Sequence, residues 1–321
     1  MKDQNGFVYL SDEVLAGLGI GTADVIACIE KAVLAKANNA LWTAPKAAFM
    51  PGDGRYMMAT LAASDEPRII SVKSVMVSPR NPERGMSGIN GTIMLLDSET
   101  GELKAVMDAN WVTAIRTAGL SAVVARRLAN PDSKSIAFIG CGVQAHSHLK
   151  AFSQLFPLAE LRAVGRGQAK VHQFCDTARS MGLAAKACTS AQESIEGADL
   201  IVSSITLSYD VDPFLDGRWL KPGAFAAITD LALPWIPAGM GAFETVIIDD
   251  RDQEKSSPKP MIDPALVCGD LTDLVTGNFA SEFSPDHRAA FVFRGIAIGD
   301  FAVAALAYER AMALGKGTKV T

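Results

Sequence analysis

The sequence lacks the marks of several large classes of protein. Its 321 residues carry 30 lysines and arginines against 35 aspartates and glutamates, a net charge of −5, so there is no positive excess to bind nucleic acid. No apolar run is long enough to span a bilayer, and the N-terminal MKDQNGFVYLSDE has no apolar core typical of a signal peptide. We therefore expect a cytoplasmic protein with a small-molecule substrate.

Cysteine and histidine are also scarce. The four histidines form no cluster with metal-ligand spacing, so we expect no metal site. The five cysteines are scattered without a Cys-x-x-Cys pair, and such an odd, unpatterned set is typical of reduced thiols: Cys28, Cys141, Cys175, Cys188 and Cys268. Because 49% of the residues are hydrophobic, the chain can bury a large core, and its length favours roughly two domains.

The pattern of the chain changes near its middle. Between residues 45 and 110, short apolar runs separated by Gly, Pro, Asn and Asp predict an antiparallel sheet, and helices are predicted over 12–34, 113–128 and 301–314. From residue 135, predicted strands alternate with helices: strands over 135–139, 161–165, 199–203, 224–229 and 245–249, and helices over 143–154, 167–181 and 190–197. This alternation indicates a parallel sheet. The fold class is α/β, with a doubly wound Rossmann-type domain (126–299) and a mixed α+β domain (1–125 and 300–321).

The segment Ser135–Ala145 (SIAFIGCGVQA) is typical of a nucleotide-binding strand-turn-helix. Gly140 permits the tight turn, and Gly142 lets the backbone approach a pyrophosphate. The following helix would direct its first N–H groups at the phosphates. Ala145 stands at the position of the usual third glycine and is small enough for the same packing. The pattern and its parallel-sheet context predict a dinucleotide site.

The end of the second predicted strand of this domain bears on the choice of dinucleotide. NAD-binding folds usually carry an acidic residue there, but Arg166 follows this strand and no Asp or Glu occurs between residues 161 and 175. Arg166 could pair with a 2′-phosphate, assisted by Lys170. We therefore favour NADP(H) over NAD(H). In the alternative, Arg166 is an ordinary solvated loop residue.

Two charged residues lie in or beside apolar strands. Lys73 interrupts the run Ile69–Val77, and a lysine is rarely buried without a partner, so it either leaves at a sheet edge or serves a site. Asp230 follows a predicted parallel strand, where open α/β sheets bind ligands, or it caps the next segment. Trp235, shortly after it, either lines an apolar wall of a pocket or packs at the domain interface.

Longer motifs give the chain a family resemblance. They include Val112–Ala118 (VTAIRTA), Asn90–Asp97 (NGTIMLLD), Gly295–Asp300 (GIAIGD), the glycine turn and the residues around Lys73. Through them the chain resembles the ornithine cyclodeaminase/mu-crystallin family over nearly its full length. The resemblance implies a dinucleotide-dependent homodimer in which the mixed α+β domain also serves dimerisation.

The resemblance also implies roles for individual residues. Lys73 and Arg116 would bind the α-carboxylate of the substrate, with Lys46 in place of an arginine of the family. Asp230 would face the substrate nitrogen. Either Asp230 or a bound water would deliver the proton, with Lys73 as the alternative donor. Tyr56 and Met58 would line the substrate pocket, and Asn90 would contact substrate or cofactor. The predicted cofactor contacts, in addition to Arg166, are Arg116, Thr117, Gly140, Cys141, Gly142, Val143, Gln144, Ser203, Thr206, Asp230, Gly295 and Ile296.

One departure from the family bears on the reaction. Ornithine cyclodeaminases carry a glutamate two residues before a Met-Pro pair, where this chain has Tyr56, and Ala59 replaces the proline. We therefore expect an NAD(P)H-dependent reductase that transfers a hydride to the C=N bond of a cyclic or small 2-imino acid, such as Δ1-pyrroline-2-carboxylate, to give the L-amino acid. The alternatives are an ornithine cyclodeaminase-type lyase, an alanine dehydrogenase or iminosuccinate reductase, and a mu-crystallin-like protein that binds NADPH and a ligand without turnover.

Overall fold

The computed structural model describes residues 6–207, 209–280 and 282–321. The chain forms two compact units, the first running to Arg116 and resuming at Ile296, the second from Thr117 to Gly295. The elements up to the second unit are β1 (Phe7–Leu10), α1 (Asp12–Ala16), α2 (Thr22–Ala37), β2 (Leu41–Thr43), β3 (Ala47–Phe49), β4 (Tyr56–Asp65), β5 (Arg68–Val77), β6 (Ile89–Leu96), β7 (Leu103–Asp108) and α3 (Ala109–Leu128).

The second unit continues with shorter elements. They are β8 (Ser135–Ile139), α4 (Val143–Phe152), β9 (Glu160–Val164), α5 (Gln168–Ser180), β10 (Ala184–Ala187), α6 (Ala191–Ile195), β11 (Leu200–Ser203), β12 (Phe225–Ile228), α7 (Pro237–Met240), β13 (Thr245–Ile248), α8 (Arg251–Lys255), β14 (Val267–Asp270), α9 (Leu271–Thr276) and β15 (Ala289–Val292). The chain then returns to the first unit with α10 (Ala297–Ala313) and β16 (Thr318–Val320).

Within the described residues, the first unit contains an eight-stranded mixed sheet. Its strand order is β16-β1-β7-β6-β5-β4-β2, with β3 also paired to β4. The β1–β7 pair is parallel and the other pairs are antiparallel, so the predicted antiparallel sheet is present with a parallel strand added. Helix α10 packs against α2 and against β4 and β5. Along β5 the residues on the α10 side are buried in alternation, and Lys73 is one of them.

The single helix predicted over residues 12–34 is wrong. Helix α1 ends at Gly17, and Gly19 has a φ of +68°, a left-handed conformation that glycine adopts without steric cost. Helix α2 then begins after Gly21. The apolar spacing continues through these glycines, so periodicity alone did not indicate the break.

The second unit contains an all-parallel sheet of eight strands within the described residues, in the order β10-β9-β8-β11-β12-β15-β13-β14. The chain runs outward from β8 in one direction through β9 and β10, and in the other direction from β11 onward. The strand order therefore reverses between β8 and β11, and such a switch point is where open α/β sheets bind ligands. Strands β10, β14 and β15 were not predicted; β10 (AAKA) and β14 (VCGD) contain few of the β-branched and aromatic residues that favour strands.

The domain boundaries predicted from sequence, 125/126 and 299/300, differ from the division of the structure at 116/117 and 295/296. The first of these falls inside α3, which is one continuous helix, so no turn or linker marks it in the sequence. No helix in the described part of the chain is both long enough and apolar enough to span a membrane.

Candidate active site

Four side chains of the first unit form a buried charged cluster. Lys73 Nζ lies 2.8 Å from Asp300 Oδ1, and Arg116 Nε lies 3.1 Å from the same oxygen. Thr60 Oγ1 donates to Asp300 Oδ2 at 3.1 Å. These residues come from β5, α10, α3 and β4, so the fold gathers them from distant parts of the sequence. All four are buried, with Asp300 at 2% exposure.

The cluster carries two cations against one carboxylate. Although burial alone would raise it, the pKa of Asp300 is held below its ordinary value by Lys73 and Arg116. Burial lowers the pKa of Lys73 to about 8, an effect that Asp300 partly opposes and Arg116 reinforces. With Lys73 protonated, the cluster therefore has one positive charge in excess, which suits it to bind an anion.

Arg116 is incompletely satisfied within this cluster. Its contact with Asp300 is an ion pair without the alignment of a hydrogen bond, and its buried Nη1 has no hydrogen-bond partner among the described residues. Buried donors without an acceptor are costly and rare. A carboxylate of a ligand would supply the missing acceptor in the bidentate manner that suits a guanidinium.

Asp300 is the functional residue that sequence reasoning missed. It lies in the motif Gly295–Asp300, in the first turn of α10, and the other buried residues of this helix are apolar. The rule that a buried lysine needs a partner, applied to Lys73, could have prompted a search for it. The 227 residues that separate Lys73 from Asp300 gave no indication of which carboxylate it would be.

Three further predicted substrate residues, Tyr56, Met58 and Lys46, belong to the same part of the first unit as Lys73. The β4–β5 register pairs Thr60 with Lys73, Met58 with Val75 and Tyr56 with Val77, so these side chains share one sheet face. Lys46 immediately precedes β3, which pairs with β4, and its charge contributes to lowering the pKa of Lys73.

Asn90 is not brought to this face. It pairs with Met76, whose side chain points to the opposite side of the sheet from Lys73, and its Nδ2 donates to the Ser87 carbonyl at 2.7 Å. The role predicted for Asn90 stays a prediction.

The glycine turn of the second unit has the geometry that its sequence predicts. Gly140 has a φ of +93°, and a Cβ placed there would lie 2.7 Å from the Ser204 carbonyl oxygen, so only glycine fits. Its N–H donates to Val164 O at 2.9 Å, which ties the end of β8 to the end of β9. Gly142 caps α4 without a side-chain hydrogen bond, and a Cβ placed there would meet open space.

The residues around this turn are exposed to different degrees. Val143 is largely exposed, whereas the thiol of Cys141 is half-buried and burial raises its pKa to about 12. Arg166 and Lys170 are exposed, and neither forms an ion pair with another residue in the described part of the chain. Thr206, beyond β11, is exposed as well. All five cysteines are free thiols, as expected.

Asp230 lies beyond the carboxyl end of β12 and is 1% exposed. Its Oδ1 accepts a hydrogen bond from Ser203 Oγ at 3.0 Å, and its Oδ2 accepts one from Ile205 N at 3.2 Å. Burial raises the pKa of Asp230 to about 6, while the hydrogen bonds from Ile205 and Ser203 act in the opposite direction. A carboxyl group tuned in this way is typical of groups that take part in acid–base chemistry.

Ser203, predicted to contact the cofactor, and Trp235, predicted to line a pocket or an interface, are both buried and hydrogen-bonded to each other. The Ser203 hydroxyl is buried between Asp230 and Trp235, whose Nε1 donates to it at 2.9 Å. A direct cofactor contact of Ser203 stays a prediction. Trp235 is 2% exposed within the hydrophobic core of the second unit, where it packs edge-on against Phe243. Trp235 is therefore a core residue of the second unit.

Buried hydrogen bonds fix the local structure around two other predicted cofactor residues, Gly295 and Thr117. Asp249 Oδ2 accepts hydrogen bonds from the backbone N–H groups of Arg294 and Gly295 at 3.0 and 2.8 Å, which fixes Gly295 with its φ of +86°. His148 of α4 contacts Ser121 of α3 at 2.9 Å, so that the helix that follows the glycine turn is anchored to the helix that carries Thr117. Burial lowers the pKa of His148 to about 4 and keeps the ring neutral.

The comparison with known proteins follows from these features. A sequence profile of the ornithine cyclodeaminase/mu-crystallin family matches residues 14–315. The chain belongs to this family. A relative in the family is the mouse ketimine reductase mu-crystallin, 29% identical over 257 residues that cover 79% of this chain and 79% of the mouse protein. The family predicted from the motifs is confirmed.

Two solved structures share the fold. The structure of Thermococcus litoralis Δ1-pyrroline-2-carboxylate reductase in complex with NADH and L-proline gives a TM-score of 0.88 at 23% identity and covers 98% of this chain and 100% of that chain. An archaeal alanine dehydrogenase dimer with bound NAD gives a TM-score of 0.86 at 23% identity, with coverage of 98% and 99%. The predicted α/β fold class, with a parallel-sheet unit and a mixed unit, is confirmed.

The second unit fits the dinucleotide that this family implies. Gly140 closes the turn, Gly142 leaves open space at the start of α4, and no side chain caps the first N–H groups of that helix. These are the features that accept a pyrophosphate at a helix N-terminus.

Proposed function

We propose that this protein is a reductase that uses a nicotinamide dinucleotide to reduce the C=N bond of a cyclic or small 2-imino acid to an L-amino acid. The observation that carries the proposal is the buried cluster of Lys73, Arg116 and Asp300. Positive charge is in excess in this cluster, and Arg116 Nη1 has no hydrogen-bond acceptor among the described residues. Such a cluster suits the carboxylate common to these substrates. The names of the mouse relative and of the Thermococcus litoralis protein support the same reaction class.

In this proposal, Lys73 and Arg116 bind and orient the carboxylate. The pairing with Asp300 holds both cations in place before a substrate arrives, so little entropy remains to be lost on binding. Lys46 adds a third positive charge, which contributes to lowering the pKa of Lys73. Tyr56 and Met58, on the same sheet face as Lys73, contact the rest of the substrate.

Asp230 acts on the substrate nitrogen in this proposal. A protonated imine accepts a hydride far more readily than a neutral one, and the ionised Asp230 stabilises its positive charge. With a pKa of about 6, Asp230 is largely ionised at neutral pH and is still able to hold a proton during turnover. A bound reduced nicotinamide would supply the hydride. Lys73, with a pKa of about 8, is the alternative proton donor.

The cofactor is proposed to be NADP(H) in preference to NAD(H). The glycine turn and the end of β9 lie at the same sheet edge, because Gly140 N donates to Val164 O. Arg166 is exposed two residues beyond Val164, and in this proposal it pairs with a phosphate on the ribose that binds at that edge. The two solved relatives carry NADH and NAD, so this choice separates the present chain from them.

A homodimer is proposed from the face of the first-unit sheet opposite α10. The strand registers place Leu61, Val72, Met94, Val106 and Tyr9 in one row across five strands. Leu61, Met94 and Tyr9 are each more than 40% exposed. A continuous apolar row of this kind marks a protein interface, and the alanine dehydrogenase of the same fold is described as a dimer.

The proposed reaction is tested by following oxidation of NADPH and, separately, of NADH with a panel of imines. Δ1-pyrroline-2-carboxylate and Δ1-piperideine-2-carboxylate come first, followed by pyruvate or oxaloacetate with ammonia or methylamine. Rapid oxidation with a cyclic imine supports the proposal. Release of ammonia from ornithine under NAD+, without imine reduction, would instead indicate a lyase. Binding of both cofactor and imine without oxidation would indicate a binding protein.

A further inference from the structure

The hydroxyl of Ser203 makes two hydrogen bonds whose direction is determined by its partners. The indole N–H of Trp235 can donate but cannot accept, so Ser203 Oγ is the acceptor of that 2.9 Å bond. Of the two partners of the hydroxyl, Asp230 alone can accept. The hydrogen of Ser203 is therefore directed at Asp230 Oδ1, 3.0 Å away. Trp235, Ser203 and Asp230 form a chain with a single polarity, all of it buried.

We propose that Trp235 and Ser203 are positioning residues for Asp230: Trp235 fixes the Ser203 hydroxyl as a donor, and Ser203 holds the carboxylate in one orientation and favours its charged form. The inference deepens the proposed function and rests on the role of Asp230 in it. A hydrogen bond donated to a carboxylate stabilises the ionised group, and this bond lies in a buried environment where it is stronger than in water. Ile205 N–H donates to the second oxygen, so both oxygens are held.

The backbone that joins Asp230 to Trp235 is strained in a way that serves this arrangement. Leu231 and Ala232 have φ values of +59° and +56°, a left-handed conformation that side chains other than glycine rarely adopt. Their turn is closed by Leu233 N to Asp230 O at 3.1 Å and by Trp235 N to Ala232 O at 3.0 Å. Strain of this kind clusters at functional sites. The turn brings the indole back toward the strand that carries Ser203.

The indole itself is fixed independently of Asp230. Residues 234–236 pair with the backbone of Leu215, through Leu215 N to Pro234 O at 2.8 Å and Ile236 N to Leu215 O at 2.7 Å. The ring packs edge-on against Phe243 with the centroids 5.6 Å apart. A phenylalanine would occupy the same core position, so the contribution specific to tryptophan is the Nε1–H that meets Ser203. The chain of hydrogen bonds therefore starts from a rigid donor.

The test uses Trp235→Phe and Ser203→Ala, with Ser203→Thr to retain the hydroxyl. Two matched controls remove a tryptophan and a buried serine of the same unit: Trp219→Phe, partly buried against the same core, and Ser194→Ala, a buried serine whose hydroxyl has no partner among the described residues. Each variant is assayed for kcat, for the KM of the imine, and for cofactor affinity by fluorescence titration. Each is also made in an Asp230→Asn background.

We expect Ser203→Ala to lower kcat roughly 30-fold and Trp235→Phe roughly tenfold, because each change removes or weakens the charge-assisted hydrogen bond from Ser203 to the Asp230 carboxylate. Cofactor affinity should change by less than about twofold. Ser203→Thr recovers most of the activity, and the two controls match the unchanged protein. In the Asp230→Asn background, neither Ser203→Ala nor Trp235→Phe has a further effect, because the group on which they act is absent. Equal losses in both backgrounds would show that the two residues serve packing alone and would overturn the proposal.

A second readout does not depend on turnover. The protonated carboxyl band of Asp230, assigned by its loss in Asp230→Asn, is titrated by infrared spectroscopy with no cofactor or substrate present. We expect Ser203→Ala to move the midpoint of this titration to higher pH by about one unit, equivalent to a tenfold change in proton affinity. An unmoved midpoint would refute the inference. If the midpoint moves but no imine is reduced, the positioning chain stands and the proposed reaction is the part that fails.

Discussion

Two aspartates of this protein are equally buried and have opposite acid–base behaviour. Asp300 in the first unit is 2% exposed and Asp230 in the second is 1% exposed. Asp300 contacts two cations, and its pKa lies below its ordinary value. The side chain of Asp230 accepts hydrogen bonds from neutral donors, Ser203 Oγ and Ile205 N, and burial raises its pKa to about 6. Burial is common to both, so the partners decide which carboxylate stays permanently ionised and which can titrate near neutral pH.

The opposite pKa shifts of the two aspartates indicate different roles in the two units. Asp300 is a fixed counter-ion that keeps Lys73 and Arg116 in place. Asp230 is held in an unfavourable charged state at neutral pH, and natural proteins retain such groups mainly where they act on a ligand. In the proposed function, the same residue type is therefore structural in the first unit and takes part in the reaction in the second. The following predictions test this contrast in order of decreasing effect.

The largest expected effect is on the stability of the first unit. Asp300→Asn leaves Lys73 and Arg116 buried without a counter-ion, which we expect to cost about 3–5 kcal/mol, as for other broken buried pairs. Thermal and urea unfolding at neutral pH measure the loss. Asp176→Asn, on an exposed aspartate of α5 paired with Arg179, is the matched control and should change stability by less than about 0.5 kcal/mol. A fully stable Asp300→Asn would show that Asp300 is not a structural counter-ion.

The next effect concerns catalysis in the second unit. Asp230→Ala removes the group proposed to stabilise positive charge on the substrate nitrogen, and we expect kcat for imine reduction to fall about 10²- to 10⁴-fold. Cofactor affinity should be nearly unchanged, because the glycine turn is intact. Steady-state kinetics and cofactor titration separate the two quantities. A parallel loss of cofactor affinity and turnover would contradict the assigned role.

The third effect has opposite signs for the two aspartates. The pKa of Asp230 is raised, so its contribution to folding is present below pH 3.8 and is lost as the pH rises through about 6. At pH 7 the charged form therefore costs about 3 kcal/mol relative to an unshifted carboxyl group. Asp230→Asn should then raise the unfolding temperature at pH 7 and much less near pH 4.5, whereas Asp300→Asn lowers it at pH 7. If Asp230→Asn gave no pH-dependent gain, the charged form would not be disfavoured as argued.

The smallest effect concerns an exposed charge. Arg166→Ala removes the group proposed to pair with the 2′-phosphate, and we expect the ratio of NADPH to NADH affinity to fall about tenfold, in line with the loss of one charge-assisted contact. Arg179→Ala, an exposed arginine at the far end of α5, is the control and should leave the ratio unchanged. Titration of both cofactors measures the ratio. The same ratio before and after Arg166→Ala would show that Arg166 does not select the phosphate.

Sequence reasoning identified the two cations of the buried cluster, Lys73 and Arg116, but not its carboxylate, Asp300. Lys73 was identified because a lysine in an apolar strand is anomalous, and Arg116 because it lies in a family motif. Asp300 was overlooked because its partners come from other elements and only the folded chain brings them together. Residues that act through long-range pairing carry little local signal.

The surroundings of Asp230 were even harder to predict from the local sequence. The alternation of predicted strands and helices placed Asp230 at the end of a strand. The carboxyl ends of parallel strands meet at one edge of the sheet. The role of Trp235 depends on a left-handed turn formed by Leu231 and Ala232. Neither residue type predicts that conformation, which glycine or asparagine would have signalled. An aromatic residue after a strand was therefore assigned to a pocket wall or an interface.

The return of the chain to the first unit has a consequence for how the protein is made. The ribosome delivers Lys73 and Arg116 early, whereas Asp300 and helix α10 emerge only after the whole second unit has been synthesised. Domains fold as they leave the ribosome, beginning from the N-terminus. Here the first unit cannot complete its folding while the second unit is being synthesised. Until Asp300 and α10 emerge, Lys73 and Arg116 lack their counter-ion and one face of the sheet is uncovered. The segment that follows the second unit thus completes the first unit.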